Sequence, residues 1–357
     1  DIIEVVSGYV QLKKRGRNYF GLCPFHGEKT ASFSVSPERQ IYKCFGCSVG
    51  GGVINFIMEI EGMEFVNAIK HLADQYSIEL QIDETAGKSK DLITQLFDIH
   101  AQTAHTFLKN LGTEEGSKVL AHLESRGLTR DTIKKFKLGY SLKQKDALLS
   151  AFRTEGVRSD AMKQSGLFID TKSGYMDRFR GRIMFSISNS AGKIAAFAGR
   201  VFESDDPAKY INSPETPIYN KSKILYGLHE TKQIIRNSKS VIVVEGYLDF
   251  LQLYQSGIHN IVAVSGTAFT DQHALQIKRF CEKVHLAYDG DSAGKAAAIR
   301  AGYVLLRAGL SPLIVNIPDG LDPDDWVKRD GNTPFLEAVE NSTKLLTFHF
   351  QNYKGDI

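Results

Sequence analysis

HLAYDGDSAGKAA, residues 285–297, drives a strand-like apolar run into Asp289 and Asp291, two aspartates separated by one glycine. Like charges held that close repel each other and raise the pKa of at least one partner. The loop is therefore either a solvated turn or the seat of a cation. The same ending recurs along the chain. VIVVEGYLD (241–249) places Glu245 directly after an apolar strand and Asp249 one helical turn later. NIPDGLDPDD (316–325) places Asp319 and Asp322 after a further run. With IVAVSG (261–266), these β-branched runs alternate with helical stretches, which predicts a parallel sheet covered on both faces. Ligands of such sheets gather at the carboxyl ends of the strands. Neighbouring strands would bring all six acids to one edge. Divalent cations, Mg²⁺ or Mn²⁺, make that arrangement favourable. Two such ions about 4 Å apart suit phosphoryl transfer. Acids are common after strands, but three strand ends with the same chemistry favour the metal reading. Gly246, Gly290 and Gly320 are expected to allow tight turns there.

At 357 residues, two or three domains are expected. Apolar content of 42% and charged content of 24% suit a globular protein with a substantial core. No apolar run reaches membrane-spanning length, and no signal peptide is visible. The chain opens on Asp1 rather than Met, so a preceding segment is expected. The net charge of +3 leaves room for a basic face offset by an acidic site. Three of the four cysteines, Cys23, Cys44 and Cys47, share one short segment and Cys281 lies far away. That excludes a secreted disulfide framework and points to a reducing cytoplasm. Cys281 reads as a buried helix residue rather than a reactive thiol.

Cys23-x2-His26, seventeen residues, then Cys44-x2-Cys47 offers three thiolates and one imidazole, a tetrahedral set for one Zn²⁺. Four protein ligands leave no open position, so the site is structural. ASFSVSPERQIYKC (31–44) alternates around a Ser-Pro break and predicts a hairpin between the ligand pairs. A thioredoxin-type Cys44/Cys47 pair would need a flanking βαβ unit and would leave Cys23 and His26 idle. Lys29, Arg39 and Lys43 lie beside Phe25, Phe33, Tyr42 and Phe45, and Lys13, Lys14, Arg15 and Arg17 add charge. This composition suits a single-strand stacking platform, although at least half of the aromatics are needed for a core.

Val53, Phe56, Ile57 and Ile60, then Phe65, Ile69 and Leu72, recur at helical spacing, with Gly62 breaking the run. The polar stretch 83–91 reads as a linker. Helices resume with Leu92, Leu96, Ile99, Phe107, Leu108 and Leu111 on one face. RIMFSISNSAGKIAAFAGRVF (182–202) predicts two strands around a turn at Asn189–Gly192. Arg178, Arg180 and Arg182 could share one face of a strand. Arg200, Lys209, Lys221 and Lys223 add cations for phosphate contacts, with ordinary surface ion pairing as the alternative. No P-loop or dinucleotide fingerprint is present.

CPFHGEKTASFSV with YKCFGC resembles a CHC2-type zinc domain. YMDRFRGRIMFSI, FAGRVF, KYINSPET and KILYGLHE resemble the start of an RNA polymerase domain. VVEGYLD with YDGDSAG resembles the Toprim signature. Together these resemble bacterial DnaG-type replicative primases over nearly the whole chain. The resemblance implies an α/β multi-domain chain: a zinc-binding domain over 1–82, a linker over 83–91 and a mixed α+β subdomain over 92–238. A Toprim parallel sheet over 239–320 follows, then the start of a helical subdomain over 321–357. It implies short RNA primers made on single-stranded DNA from ribonucleoside triphosphates, in the bacterial cytoplasm at the replication fork. Glu245, Asp289 and Asp291 match the principal metal-binding acids, with Asp249, Asp319 and Asp322 as further members. Which of Asp319 and Asp322 lies closer to the ion is open. Arg126, Arg200, Lys209 and Lys221 match a basic ridge for template and triphosphate. The zinc domain matches a module that reads the initiation trinucleotide. A replicative helicase, through a C-terminal domain not reached here, and a single-stranded-DNA-binding protein are implied partners. A Toprim topoisomerase or nuclease, which would need a tyrosine nucleophile elsewhere, and a catalytically silent zinc-dependent DNA-binding module are the competing readings.

Overall fold

The computed structural model describes residues 1–352 except 62–64, 77, 79–83, 155–156, 173, 204–205, 265 and 267. Two compact units, Asp1–Gly87 and Lys88–Ile357, make up the chain. In the first, the strands Lys13–Arg15, Asn18–Gly21, Phe33–Ser36, Ile41–Cys44 and Gly50–Gly51 form an antiparallel sheet in chain order. The predicted hairpin sets Phe33 opposite Cys44. Helices Val53–Ile60 and Phe65–Gln75 follow, and Gly62 lies outside the described residues. Phe33 stacks on Tyr42 at 5.3 Å, and Phe56 meets Tyr42 edge-on at 5.4 Å. Phe25 joins them 5.7 Å from Phe56, so these aromatics are core, while Phe45 is 68% exposed.

The expected linker is helical from Glu84, within the helix Glu84–Asn110; Asp83 lies outside the described residues. Lack of apolar periodicity excludes packing, not helix: without proline, the turns extend back from the anchored residues Leu96, Ile99 and Phe107. The second unit then builds an antiparallel sheet in the order Tyr210–Asn212, Ile194–Val201, Arg182–Ser188, Gly139–Ser141. Its central hairpin turns through Gly192 at φ +85°. The shared strand face expected for Arg178, Arg180 and Arg182 does not form. Residues 178–181 are a turn that ends on Gly181 at φ +65°, and only Arg182 enters the strand.

Strands Ile261–Ala263, Ser240–Val244, Lys283–Leu286 and Ser311–Ile314 lie in that order, all parallel. Their buried runs have the two-sided apolar character of covered parallel strands. Thr343–Lys344 adds an antiparallel edge, so the sheet is mixed. The limits expected at 238/239 and 320/321 both fall within the compact unit Lys88–Ile357. Leu228 and Ile235 sit in one face of this sheet's core with Leu345 and Phe348, and Trp326, Val327 and Phe335 fill the other. Apolar surface that a single sheet must cover recruits helices from both sides of those limits. Cys281 is buried as expected, but just beyond the helix Asp271–Lys278, and burial pushes its thiol up to about 12.

The antiparallel four-stranded sheet and the mostly parallel sheet of the second unit are joined through aromatics of the helix Tyr247–Gln255. Tyr247 stacks on Phe185 at 4.9 Å and donates to Asn212 Oδ1 at 3.0 Å. Gly227 approaches the same helix: at φ +80°, a Cβ there would lie 2.1 Å from the Phe250 ring. Gly227→Ala is expected to lower unfolding free energy by roughly 3 kcal/mol in urea titration, from ring overlap and left-handed backbone strain together.

Candidate functional site

Parallel register decides where the acids go. Val243 pairs with Leu286 and Leu286 with Ile314, so the strands end level. Glu245, Asp249, Asp289 and Asp322 consequently line one cleft of about 900 Å³. Two of them are fixed by backbone amides. Asp249 accepts from Gly246 N at 3.0 Å and Asp322 caps the helix Pro323–Asp330 through Asp325 N at 2.6 Å. Gly290 brings the loops together: its N–H donates to the Leu321 carbonyl at 2.9 Å, and a Cβ would lie 2.2 Å from the Pro318 oxygen. Of the three expected turn glycines, only Gly320 takes a positive φ, +77°.

Burial, then the charges of Asp289 and Asp291, pushes Glu245 up to about 7. Burial and the neighbouring Asp322, Asp289 and Asp324 push Asp249 to about 8. Asp289 and Asp322 are raised as well, again chiefly by burial. Glu245 Oε1 is buried without a hydrogen-bond partner among the described residues. Four crowded carboxylates and an orphaned oxygen are a donor set that fits hard divalent cations. Asp291 and Asp319 line a neighbouring groove instead. Asp291 caps the helix Ser292–Arg307 through Gly294 N at 2.7 Å, and Asp319 pairs with Lys295 at 2.6 Å.

Arg126, Arg200 and Lys209 line the acidic cleft; Arg178, Arg180 and Lys221 do not. Arg178 donates to the Gly166 carbonyl at 2.8 Å and Arg180 to that of Asp177, which ties both to backbone. Arg182 is buried against Asp206 at 2.5 Å. Sequence reading missed Asp324, whose buried carboxylate holds Arg126 at 3.0 Å and Lys328 at 2.6 Å. It also missed His122, which accepts from Arg200 at 3.3 Å. Asp324 and Arg126 are 198 residues apart and no local pattern announces their pairing.

In the first unit, one donor atom each from Cys23, His26, Cys44 and Cys47 lies within 4.8 Å of the others. Cys23 Sγ to Cys47 Sγ and Cys44 Sγ to His26 Nδ1 are both 3.8 Å. Tetrahedral zinc with bonds of about 2.3 Å has edges of about 3.8 Å, so the donors fit. The Gly46 and Cys47 amides donate to Cys44 Sγ at 3.3 and 3.4 Å. His26 Nε2 lies 3.3 Å from Glu28, which also accepts from Cys23 N at 2.7 Å. That carboxylate fixes the ring so that Nδ1 faces the thiols.

A zinc ribbon on a chain whose parallel sheet ends in clustered acids defines a Toprim-like protein with a CHC2 zinc finger. Family models agree in sequence order: CHC2 zinc finger over 1–88, DNA primase catalytic core, N-terminal domain over 106–232, and Toprim-like over 242–327. The Clostridium acetobutylicum DNA primase is 41% identical over 352 residues, covering 98% of this chain and 58% of the relative. The Geobacillus stearothermophilus DNA primase is also 41% identical, covering 98% and 59%. The crystal structure of the Aquifex aeolicus primase zinc-binding and RNA polymerase domains matches with TM-score 0.67 and 34% identity, covering 99% of this chain and 85% of that one. A DnaG primase catalytic domain bound to ssDNA matches with TM-score 0.67 and 33% identity, covering 73% and 83%. The chain belongs to the DnaG-type DNA primase family. It spans about three-fifths of the length of those curated relatives.

Two outcomes test the centres. Metal analysis of purified protein should find about one zinc ion per chain, lost in Cys44→Ser together with the ordered first unit. Asp249→Asn should stabilise the protein in EDTA by roughly 5 kcal/mol at pH 8, because it removes a buried charge. The sign follows from a folded pKa of about 8 above an unfolded value near 3.8. The folded state therefore holds a proton that the unfolded state lacks between those limits. The gain should be complete above pH 8 and shrink steadily as pH falls toward 4, as read from melting curves. A gain independent of pH would contradict the assignment.

Proposed function

We propose that this chain carries the zinc-binding and polymerising parts of a DNA primase. The reaction is nucleotidyl transfer: a 3′-hydroxyl attacks the α-phosphate of a ribonucleoside triphosphate on a single-stranded DNA template, and pyrophosphate leaves. One observation carries the reading: half-buried and buried carboxylates and the cations Arg126, Arg200 and Lys209 line the same cleft. That combination suits a polyanion delivered with divalent metal, and neither charge alone does.

Glu245, Asp249, Asp289 and Asp322 hold Mg²⁺ or Mn²⁺ in this reading, and Asp291 adds its field to Glu245 and Asp289. Bound ions of this kind lower the cost of the attacking hydroxyl and neutralise the departing pyrophosphate. Of the two acids left open by sequence, Asp322 is assigned to the ions, since Asp319 is committed to Lys295. Arg126, oriented by Asp324, and Arg200, oriented by His122, take phosphates of template or triphosphate. Arg178 and Arg180 serve the scaffold.

The zinc unit reads the initiation trinucleotide, with exposed Phe45 next to exposed Lys43 as a stacking and phosphate pair. The proposal extends to a replicative helicase and a single-stranded-DNA-binding protein as partners, and to the cytoplasm at the replication fork. Among the described residues no helix is long and apolar enough to cross a membrane. The matched families give no support to a strand-passage enzyme.

Incubation with single-stranded template, labelled ribonucleotides and Mg²⁺ or Mn²⁺ should give template-dependent RNA oligomers. Asp289→Ala should abolish them, by at least about a hundredfold, while retention of single-stranded DNA largely survives. Full synthesis by Asp289→Ala would refute its placement on the metals. DNA retention with no incorporation by the native protein would favour a silent binding module.

A further inference from the structure

The amino edge of the parallel sheet, opposite the acids, carries a groove of about 1020 Å³. Ser240, Lys283 and Ser311 open three neighbouring strands there. Lys239, Lys278, Arg279 and Lys283 line the groove, as do two acids, Glu282 and Glu340. Helix C-termini meet at such an edge, and cations ordinarily offset their carbonyls. Lys278 does so, donating at 2.7 Å to the carbonyl of Ala308, which ends the helix Ser292–Arg307. The exposed side chains of Lys239, Arg279 and Lys283 make no hydrogen bond or ion pair among the described residues, although both acids are at hand. Several other exposed cations are taken up by nearby acids, as Arg130 is by Glu124 at 2.6 Å and Arg329 by Asp330 at 2.6 Å. Arg236, also exposed, lies 5.6 Å from the centre of the Phe280 ring, which lines the groove.

Reacting ligands of a parallel sheet sit at its carboxyl edge, so a groove at the amino edge serves binding rather than chemistry. Unpaired cations along an open groove, beside a guanidinium stacked on an aromatic ring, match the needs of a single-stranded phosphodiester backbone and its bases. We propose that this groove is a second, non-catalytic contact for single-stranded nucleic acid. Lys239, Arg279 and Lys283 take phosphates, and the Arg236–Phe280 pair takes a base. The inference rests on the polymerase reading above, which supplies the strand. From Lys283 to Asp289 the chain runs about 20 Å along the sheet. A strand held in the acidic cleft must cover that distance and pass a layer of helices to reach the groove. About six stacked nucleotides span only about 20 Å and cannot do both, whereas about thirty can. An acidic peptide is the weaker candidate, because the stacked Arg–Phe pair offers carboxylates nothing beyond its charge.

The test is fluorescence anisotropy with labelled DNA strands of about 6 and about 30 nucleotides, across a salt series. The combined variant Lys239→Gln, Arg279→Gln, Lys283→Gln should raise Kd for the longer strand about tenfold at low salt and leave the shorter within about twofold. It should also flatten the slope of log K against log salt by about 2 for the longer strand. A control, Arg153→Gln, Lys163→Gln, Lys172→Gln, removes the same charge from exposed positions that line neither groove nor cleft. It should leave both strands within about twofold. Unchanged long-strand binding in the groove variant overturns the proposal, as do equal losses in the control. So does a poly-glutamate peptide that loses affinity in the groove variant while the long strand does not, which points to an acidic protein partner. RNA synthesis that persists with unchanged long-strand binding sinks the groove alone. The length-dependent loss with no RNA synthesis by the native protein sinks the polymerase reading and keeps the groove.

Discussion

Repulsion among carboxylates at one sheet edge is the constraint on which the second unit turns. Glu245, Asp249, Asp289 and Asp322 are brought into a partly buried cleft, where each ionised form costs more than it would in water. A fold does not hold such an arrangement for its own stability. The cost must be offset by strong attachments nearby and recovered when cations bind.

Those attachments can be named. Register between parallel strands levels the strand ends, amide donors grip Asp249 and Asp322, and Gly290 allows two loops to meet at van der Waals distance. Behind them, Tyr247, Phe185 and Tyr226 lock the helix that carries Asp249 to the antiparallel sheet. That sheet carries Arg200 on its strand Ile194–Val201 and so sets one of the cleft's cations. The zinc unit solves a related problem with other means. Its small aromatic core is supplemented by four ligands, as expected for a domain too small to rely on burial alone.

The acid cluster and the zinc ligands were legible because both are local patterns: an acid follows three of the four apolar runs, and each ligand pair spans two intervening residues. Strand ends then converge by a rule that needs no coordinates. What escaped was non-local. Arg126 finds Asp324 across most of the second unit, and His122 finds Arg200 from a helix to a distant strand. The choice between Asp319 and Asp322 depended on Lys295, which lies on the helix after the acidic loop and draws Asp319 away. Arginine spacing in DRFRGR suggested a strand face, but Gly181 in the left-handed region turns the chain there. Polar composition suggested a linker where the backbone continues as helix.

The central claim is that these carboxylates meet because divalent cations bind between them. Manganese-soaked crystals measured at an anomalous wavelength test it most directly. The account predicts at least one manganese peak in the cleft, within about 2.2 Å of oxygens from Asp289 and at least one of Glu245, Asp249 and Asp322. A map in which those side chains splay apart and manganese is found only elsewhere would contradict it.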